Sequence, residues 1–133
     1  MNSIQSFRDL IAWQKSIALV TDMYKLTATF PDTEKFGLKS QINRAAVSVP
    51  ANIAEGWGRE TPKSFLQFLR TSRASLMEVQ TLIEIAKNVE LIDQDNYKNV
   101  IVKSDEVSKI IQGLIKSIQK NIKPVTTKKQ TQP

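Results

Sequence analysis

The chain has 133 residues, of which 41% are hydrophobic and 24% are charged, a balance typical of one globular domain with a single modest core. It contains neither cysteine nor histidine, which excludes disulfides, Ser-His-Asp and Cys-His nucleophile arrangements, and the commonest ligands of soft metals. We therefore expect no catalytic residues, no metal and no cofactor, while a net charge of +6 favours negatively charged partners.

No targeting segment is expected from the sequence either. No stretch of about 18 apolar residues is present, so no membrane-spanning helix is expected. The stretch MNSIQSFRDL at the N-terminus has neither the basic nor the apolar region of a secretory signal. The sequence therefore predicts a cytoplasmic protein that does not associate with membranes.

The first predicted helix begins near Phe7, because Ser6 and Asp9 have the spacing of a capping box, and it ends at Pro31. Its predicted core stripe has regular heptad spacing and consists of Leu10, Trp13, Ile17, Val20 and Tyr24. A second apolar stripe lies beside it and consists of Leu19, Met23, Leu26 and Phe30. This second stripe is either the edge of a wide core-facing surface or part of a subunit interface.

The second predicted helix starts between Asp32 and Lys35, ends at Gly56 and Gly58, and contains Pro50 within its apolar stripe. A proline inside a helix removes one backbone N–H and crowds the carbonyl four residues earlier, at a cost of about 3 kcal/mol. The segment is therefore predicted either to kink at the proline or to consist of two short helices.

Polar residues near Pro50 are predicted to compensate for the hydrogen bond that the proline removes. The carbonyl of Ala46 loses its usual donor, and Asn52, Ser48 or Arg44 can supply another. We interpret this cluster as a structural support of the kink, in preference to a catalytic or ligand-binding site.

Glu55 belongs to the same cluster and can form an ion pair with Arg44 or with Arg59. Trp57 follows it between two glycines. We interpret this tryptophan as an apolar anchor or a subunit-interface residue, in preference to a platform on which a nucleic-acid base stacks.

The third predicted helix has Thr61 as its N-cap and Pro62 at its first position, and it ends between Asn88 and Glu90. Its inner face is predicted to consist of Phe65, Phe68, Leu69, Ser72, Leu76, Val79, Leu82, Ile83 and Ala86.

The fourth predicted helix begins after Asp93, which can cap it. Its inner face is predicted to consist of Tyr97, Val100, Ser104, Val107, Ile111, Leu114 and Ile118. Ile101 and Ile115 lie off this face, and they join the second stripe of the first helix as candidates for a subunit interface.

The connections between these segments are short, which places successive helices antiparallel. The predicted fold is all-α: an up-down antiparallel four-helix bundle with a proline-interrupted second helix, formed by residues 1–120. Residues 121–133 are polar and contain two prolines, so we predict a disordered basic C-terminal tail.

The positive charge is divided between the tail and the folded body. The tail contains Lys123, Lys128 and Lys129 and no acid, whereas residues 1–120 contain 16 basic and 13 acidic side chains, a difference of +3. One basic cluster stands out in the body and consists of Arg59, Lys63, Arg70 and Arg73. It is either a solvated, salt-bridged helix face or a phosphate-binding patch that oligomerisation multiplies.

A family resemblance rests on the run SQINRAAVSVPANIAEGWGRE, preceded by FRDLIAWQKSIALV and FPDTEKFGL. The chain resembles, over about residues 7–118, the bacterial four-helix-bundle proteins encoded in intervening sequences of 23S rRNA genes. The same family includes accessory proteins of diversity-generating retroelements. One departure is Ala74, where the family tends to have glycine, and alanine gives up the close helix approach that glycine permits.

The resemblance implies a non-enzymatic bundle that assembles into a homopentameric ring. By similarity to the retroelement accessory proteins, it also implies a basic surface that binds nucleic acid and a possible reverse-transcriptase partner. The residues then expected to contact phosphate are Arg44, Arg59, Lys63, Arg70 and Arg73. The residues then expected at the subunit interface are Leu19, Met23, Leu26, Phe30, Trp57, Ile101 and Ile115.

Two functional hypotheses from different classes follow. The first is a homo-oligomeric bundle that binds structured RNA or DNA through its basic surface. The second is a protein-interaction adaptor, for example an accessory partner of a retroelement reverse transcriptase. A ring that scaffolds without binding nucleic acid is a third interpretation, because the folded body is only mildly basic.

Overall fold

The computed structural model describes residues 3–34 and 36–122. Within them the chain forms four α-helices: α1 (Ile11–Thr27), α2 (Leu38–Trp57), α3 (Pro62–Asn88) and α4 (Gln94–Lys120). Contacts join α1 to α2, α2 to α3, α3 to α4, and α4 back to α1. The helices therefore surround a shared core in chain order, and the predicted up-down four-helix bundle is confirmed.

Ion pairs between α1 and α4 illustrate the antiparallel arrangement. Lys103 Nζ lies 2.6 Å from Asp22 Oδ2, and Lys15 Nζ lies 3.6 Å from Glu106 Oε2. The later residue of α1 thus pairs with the earlier residue of α4, as antiparallel neighbours must.

The predicted caps of α3 and α4 are confirmed. The Thr61 side chain accepts a hydrogen bond from the Ser64 backbone N–H, with Pro62 at the first helical position. The Asp93 side chain accepts one from the Asn96 backbone N–H. Each bond satisfies one of the four free N–H groups at a helix start.

The starts of α1 and α2 differ from the prediction. Ser6 and Asp9 do form a capping box, but it caps a one-turn 3-10 helix, Phe7–Asp9, and the extended backbone of Leu10 separates this turn from α1. A second 3-10 helix, Asp32–Glu34, occupies the predicted start of the second helix, and α2 itself begins at Leu38.

Helix α2 continues through Pro50, which is buried. Of the two alternatives at this proline, the structure therefore has one helix from Leu38 to Trp57 and not two short helices.

The core consists of two clusters, one toward each end of the bundle. The first contains Leu10, Ala12, Leu19, Val49, Ile53, Leu66, Leu69, Leu76, Val107, Ile111 and Ile115. The second contains Met23, Phe30, Ile42, Ala45, Ala46, Val79, Leu82, Ile83, Ala86, Ile92 and Val100. Each of the four helices contributes residues to both clusters. The remaining members, Leu10, Phe30 and Ile92, lie in the segments that precede or connect the helices.

The buried face of α1 overlaps the predicted stripe only in part: Leu10 is buried, and Trp13 and Val20 pack against the core clusters. The helix buries Ala12, Ser16, Leu19, Met23 and Thr27, whereas Ile17 is 38% and Tyr24 50% exposed. Small residues on the buried face let α1 approach its neighbours, and its hydroxyls are satisfied: Ser16 Oγ donates to the Ala12 carbonyl, so burying it costs little.

Four of the residues predicted at the subunit interface lie instead in the core of the single chain. Leu19, Met23, Phe30 and Ile115 are buried inside a single chain, with exposures between 0% and 6%. They belong to the core and leave no surface for a partner. Leu26, Trp57 and Ile101 are partly buried, packed against the core clusters.

The predicted C-terminal tail falls almost entirely outside the described residues. Helix α4 ends at Lys120, and Ile122 packs against the first core cluster. Residues 123–133, with their three lysines, lie beyond the part of the chain that the structure describes.

Candidate nucleic-acid interface

Helix α3 packs directly against the backbone of α2 at Gly56. A Cβ atom at this position would lie 2.7 Å from Phe68 Cβ and 2.8 Å from Phe65 Cδ1, distances that no real Cβ contact tolerates. Glycine is therefore required here for the two helices to pack as they do. This contact fixes where the loop with Arg59 leaves the end of α2.

A polar seam joins the same two helices beside Pro50. Ser72 Oγ donates to the Val49 carbonyl at 2.8 Å, and the hydroxyls of Ser48 and Ser75 lie 2.8 Å apart. These bonds connect α2 to α3 in antiparallel register, with low-numbered residues of one helix opposite high-numbered residues of the other. Ser75 makes this contact while the neighbouring Ala74 is exposed. The substitution of Ala74 for the family's glycine therefore does not affect helix packing.

Asn52 has a structural role, but not the predicted one. Its Nδ2 donates to the Ser48 carbonyl at 2.8 Å and to Ser48 Oγ at 2.9 Å. No side-chain hydrogen bond between described residues reaches the Ala46 carbonyl, so the prediction that Asn52, Ser48 or Arg44 replaces its donor is wrong.

Glu55 pairs with Arg59, one of its two predicted partners. Arg59 Nη2 lies 3.1 Å from Glu55 Oε2, and its guanidinium carbon lies 4.7 Å from the centre of the Phe68 ring. The ring and the carboxylate together hold the arginine at the start of α3, beside a surface depression that Lys63 and Gln67 also line.

Trp57 serves as an intramolecular anchor. Its ring meets Phe65 edge to face, with centroids 6.1 Å apart, and it packs against the first core cluster. Its predicted role in a subunit interface stays a prediction.

The remaining basic residues of the predicted cluster lie on the side of α3 that neighbours α4. Lys63 and Arg70 are exposed and Arg73 is partly exposed. By helical period Arg73 shares a face with Gln80, whose Nε2 donates to Ser104 Oγ and Asp105 Oδ1 of α4, both at 2.9 Å.

The register of α3 and α4 identifies further cations that the sequence reasoning missed. Gln80 lies opposite Ser104, and continuing this antiparallel register places Arg70 level with α4 between Lys109 and Lys116. Lys63 comes beside Lys120 in the same way. All three α4 lysines are exposed.

The sequence does contain a feature that points to these lysines: two long stretches without acidic residues. No aspartate or glutamate occurs between Glu60 and Glu78, and none follows Glu106. These two acid-free stretches are far apart in the chain but lie side by side in the bundle.

The α3–α4 hairpin is therefore divided by charge. Residues 61–77 and 107–122, which we call the basic half, contain six basic and no acidic side chains. Residues 78–106, which we call the acidic half, contain three basic and seven acidic ones. Since the rest of the body, residues 1–60, contains seven basic and six acidic side chains, the body charge of +3 is the sum of +6, −4 and +1.

Arg44 lies apart from this basic half. It is exposed on α2, one turn before Ser48, whose hydroxyl contacts Ser75 of α3. It therefore flanks the α2–α3 groove, whereas Lys63, Arg70 and Arg73 flank the α3–α4 groove. The structure does not bring the five predicted phosphate contacts together in one patch.

A second surface, which we call the α1/α2 apolar face, is formed by uncharged residues. It consists of Trp13, Ile17, Val20 and Tyr24 of α1 with Val47 and Ala54 of α2. By helical period Val47 lies one turn from Asn43, which accepts a hydrogen bond from Thr27 of α1. Val47 is 41% exposed, so apolar surface reaches solvent from both helices.

No group of three acidic side chains that can hold a metal ion occurs in residues 3–34 and 36–122. No described helix is both long enough and apolar enough to cross a bilayer.

In the acidic half, the Tyr97 hydroxyl donates to Glu84, which lowers the pKa of the Glu84 carboxyl and raises that of Tyr97.

A family model of 23S rRNA-intervening sequence proteins matches residues 8–113. The chain belongs to this family. A protein of unknown function from the S23 ribosomal protein family of Bacteroides thetaiotaomicron has a similar solved structure. It is 23% identical, with a TM-score of 0.75 over 80% of this chain and 96% of that one. The likeness supports the fold.

No curated protein matches the chain significantly. The names of the family and of the solved relative mention no enzymatic activity.

Proposed function

We propose that this member of the 23S rRNA-intervening sequence protein family is a non-enzymatic, homo-oligomeric bundle that binds structured RNA or DNA through a basic surface. The observation that supports it best is the basic half of the α3–α4 hairpin, with six cations and no acid. Arg59 adds a seventh cation at its edge, although Glu55 partly neutralises it. Cations with no acids between them attract the closely spaced phosphates of a nucleic acid.

Homo-oligomerisation is supported by the α1/α2 apolar face. Tyr24 and Ile17 expose apolar surface that a monomer gains nothing by exposing, and no charged residue belongs to this face. We propose this face as the subunit interface in place of the buried residues Leu19 and Met23. The family resemblance suggests five subunits, and a ring would repeat the basic half around its circumference.

Two charge reversals test the nucleic-acid site. The double variant Arg59→Glu and Arg70→Glu is expected to weaken binding to every sequence alike and to reduce the salt slope by about 0.9 for each lost phosphate contact. Fluorescence anisotropy with a structured RNA and a duplex DNA, at two salt concentrations, measures both quantities. Lys25→Glu, an exposed lysine on α1, is the matched control. Unchanged binding by the double variant would refute this site.

A protein-interaction adaptor is the second candidate function, for example an accessory partner of a retroelement reverse transcriptase. The α1/α2 apolar face favours it, because such a face also fits a different protein. Neighbouring genes discriminate the two: a position inside an rRNA gene favours the nucleic-acid module, whereas an adjacent reverse transcriptase and variable repeat favour the adaptor.

A further inference from the structure

We infer that the basic half of the α3–α4 hairpin binds the backbone of a double-stranded nucleic acid, across less than one helical turn and without reading its sequence. This inference rests on the proposed nucleic-acid function and adds the class of ligand, the surface and the size of the site. Its principal residues are Lys63, Arg70 and Arg73 of α3 with Lys109, Lys116 and Lys120 of α4.

The first argument is that the cations form two rows. One row is carried by α3 and the other by α4, and axes of packed helices lie about 8–10 Å apart. The two strands that border a groove of a duplex are separated by a similar distance, about 6–12 Å. A single strand offers one row of phosphates, so it can use only one of these rows at a time.

The second argument is that the basic half has no free aromatic ring. Proteins that prefer single strands stack bases on exposed aromatic side chains. The two phenylalanines of this region are engaged within the chain: Phe65 packs edge to face on Trp57, and Phe68 lies under the Arg59 guanidinium. Residues 107–122 contain no aromatic residue.

The third argument concerns the length of the site. Residues 61–77 rise about 25 Å along the helix axis, at about 1.5 Å per residue, while one turn of duplex is about 34–36 Å long. Beyond this stretch the acidic half begins, where Glu84 and Asp105 face α4 and α3. Like charge there repels further phosphates, so the contact stops within one turn.

Binding without sequence preference follows from the shape of the surface. Sequence is read by hydrogen bonds to base edges inside a groove, which an inserted helix or strand usually supplies. The basic half is the outer surface of two long helices packed against each other, with its lysines and arginines on a broad surface. Such a surface reaches phosphates on the outside of a duplex.

The test uses the full chain and a labelled duplex of about 12 base pairs, a little over one turn. Its two separated strands and an RNA duplex of the same sequence serve as further probes. Anisotropy titrations over a salt series give the affinity and the salt slope for each. The wild-type chain is expected to bind both duplexes more tightly than either strand, with a slope near −5 from about six phosphate contacts.

The triple variant Lys109→Gln, Lys116→Gln and Lys120→Gln removes the charges of the α4 row and replaces them with polar side chains of similar helix propensity. Three contacts contribute about 2.7 to the salt exponent, so the affinity for the duplex is expected to fall roughly 100-fold at about 0.15 M salt. The matched control is Lys98→Gln, an exposed lysine of the same helix in the acidic half, which should leave binding unchanged. Circular dichroism verifies that both variants stay helical.

The outcomes separate the inference from the proposed function. The inference is supported if the chain prefers duplexes and if the triple variant loses binding while the Lys98→Gln control keeps it. Tight binding that the triple variant retains, or a preference for the separated strands, overturns it while leaving nucleic-acid binding intact. Absence of binding to every probe overturns the proposed function and this inference with it.

Discussion

The two helical hairpins share one core but present opposite outer surfaces. The α1–α2 hairpin exposes apolar residues such as Ile17, Tyr24 and Val47, whereas the α3–α4 hairpin exposes charge that is sorted into a basic and an acidic half. The body carries a net charge of only +3, because the two halves largely cancel. The net charge of the body therefore says little about which partners its surface can bind, whereas the arrangement of charge on paired helices says more.

This difference suggests a division of roles. An uncharged apolar face suits association between copies of the chain, since like charges do not oppose it. A basic surface turned away from that face would stay available for phosphates in the oligomer that we propose. The following experiments alter one surface at a time.

The largest effect is expected from disrupting the α1/α2 apolar face. Ile17→Glu with Tyr24→Glu places two carboxylates on that face, and the oligomer should dissociate to monomers because charge burial is costly. The affinity for a duplex long enough to contact the basic halves of two subunits should then fall by about 10²-fold or more, since these halves no longer act together. Multi-angle light scattering measures the mass, and anisotropy measures the affinity.

The control for this variant is Val102→Glu, at a 66% exposed valine of α4 outside both surfaces. It should change neither mass nor affinity. If the α1 double variant keeps the wild-type mass, the α1/α2 apolar face is not the interface.

The next effect is on stability, and it compares two glycines. Gly56→Ala puts a Cβ 2.7 Å from Phe68 Cβ, so α2 and α3 must move apart, at an expected cost of about 1–3 kcal/mol. Gly113→Ala, on the exposed side of α4 with nothing within 4 Å, should instead stabilise the chain by about 0.5–1 kcal/mol.

Urea denaturation measures both changes, and the Gly113 variant serves as the control for the general effect of alanine in a helix. Equal stability of the two variants would contradict the close approach of α2 and α3. Neither substitution alters a charge, so duplex binding by the folded variants should be unaffected.

A smaller gain is expected at the turn between α3 and α4. Glu90 has a φ of 65°, in the left-handed region that glycine adopts without strain. Glu90→Gly should therefore stabilise the fold by about 0.5–1 kcal/mol, the strain relieved being partly offset by a more flexible unfolded chain. A shift of the urea midpoint to lower concentration would show that Glu90 is not strained.

The smallest effect concerns pH and lies in the acidic half. The Tyr97 hydroxyl, and then Lys87, lower the pKa of Glu84, so its contribution to stability is present above the ordinary carboxyl pKa and is lost as pH falls through the lowered one. Tyr97→Phe should raise the pKa of Glu84. The free energy of unfolding of this variant should therefore fall less than that of the wild-type chain between about pH 7 and about pH 3. An NMR titration of the Glu84 carboxyl measures this, and an unchanged pKa would argue against the hydrogen bond.

Most of the fold was predictable because local signals and helical period agree with the packing. Thr61 and Asp93 cap α3 and α4 as their positions in the sequence predict. The buried face of α1 was not predictable, since both of its stripes have helical spacing. The stripe with larger and more aromatic residues was chosen as the core face. The fold instead buries Leu19 and Met23 of the second stripe, together with Ala12 and Ser16, which belong to neither stripe.

The candidate site was predictable only in part. Lys63, Arg70 and Arg73 follow one another within one helix, so their proximity can be read from the sequence. The α4 lysines Lys109 and Lys116 come about forty residues later, and only antiparallel pairing brings them alongside. Arg44 was included on the family resemblance, and the structure places it beside the other groove.

The most direct test of the account is the salt dependence of duplex binding by a chain truncated after residue 122. This truncation keeps all four helices and removes Lys123, Lys128 and Lys129. We predict that the truncated chain still binds, with a slope near −5 in log affinity against log salt. Loss of binding with the tail would contradict the account, because the terminal lysines and not the α3–α4 hairpin would then be the source of the affinity.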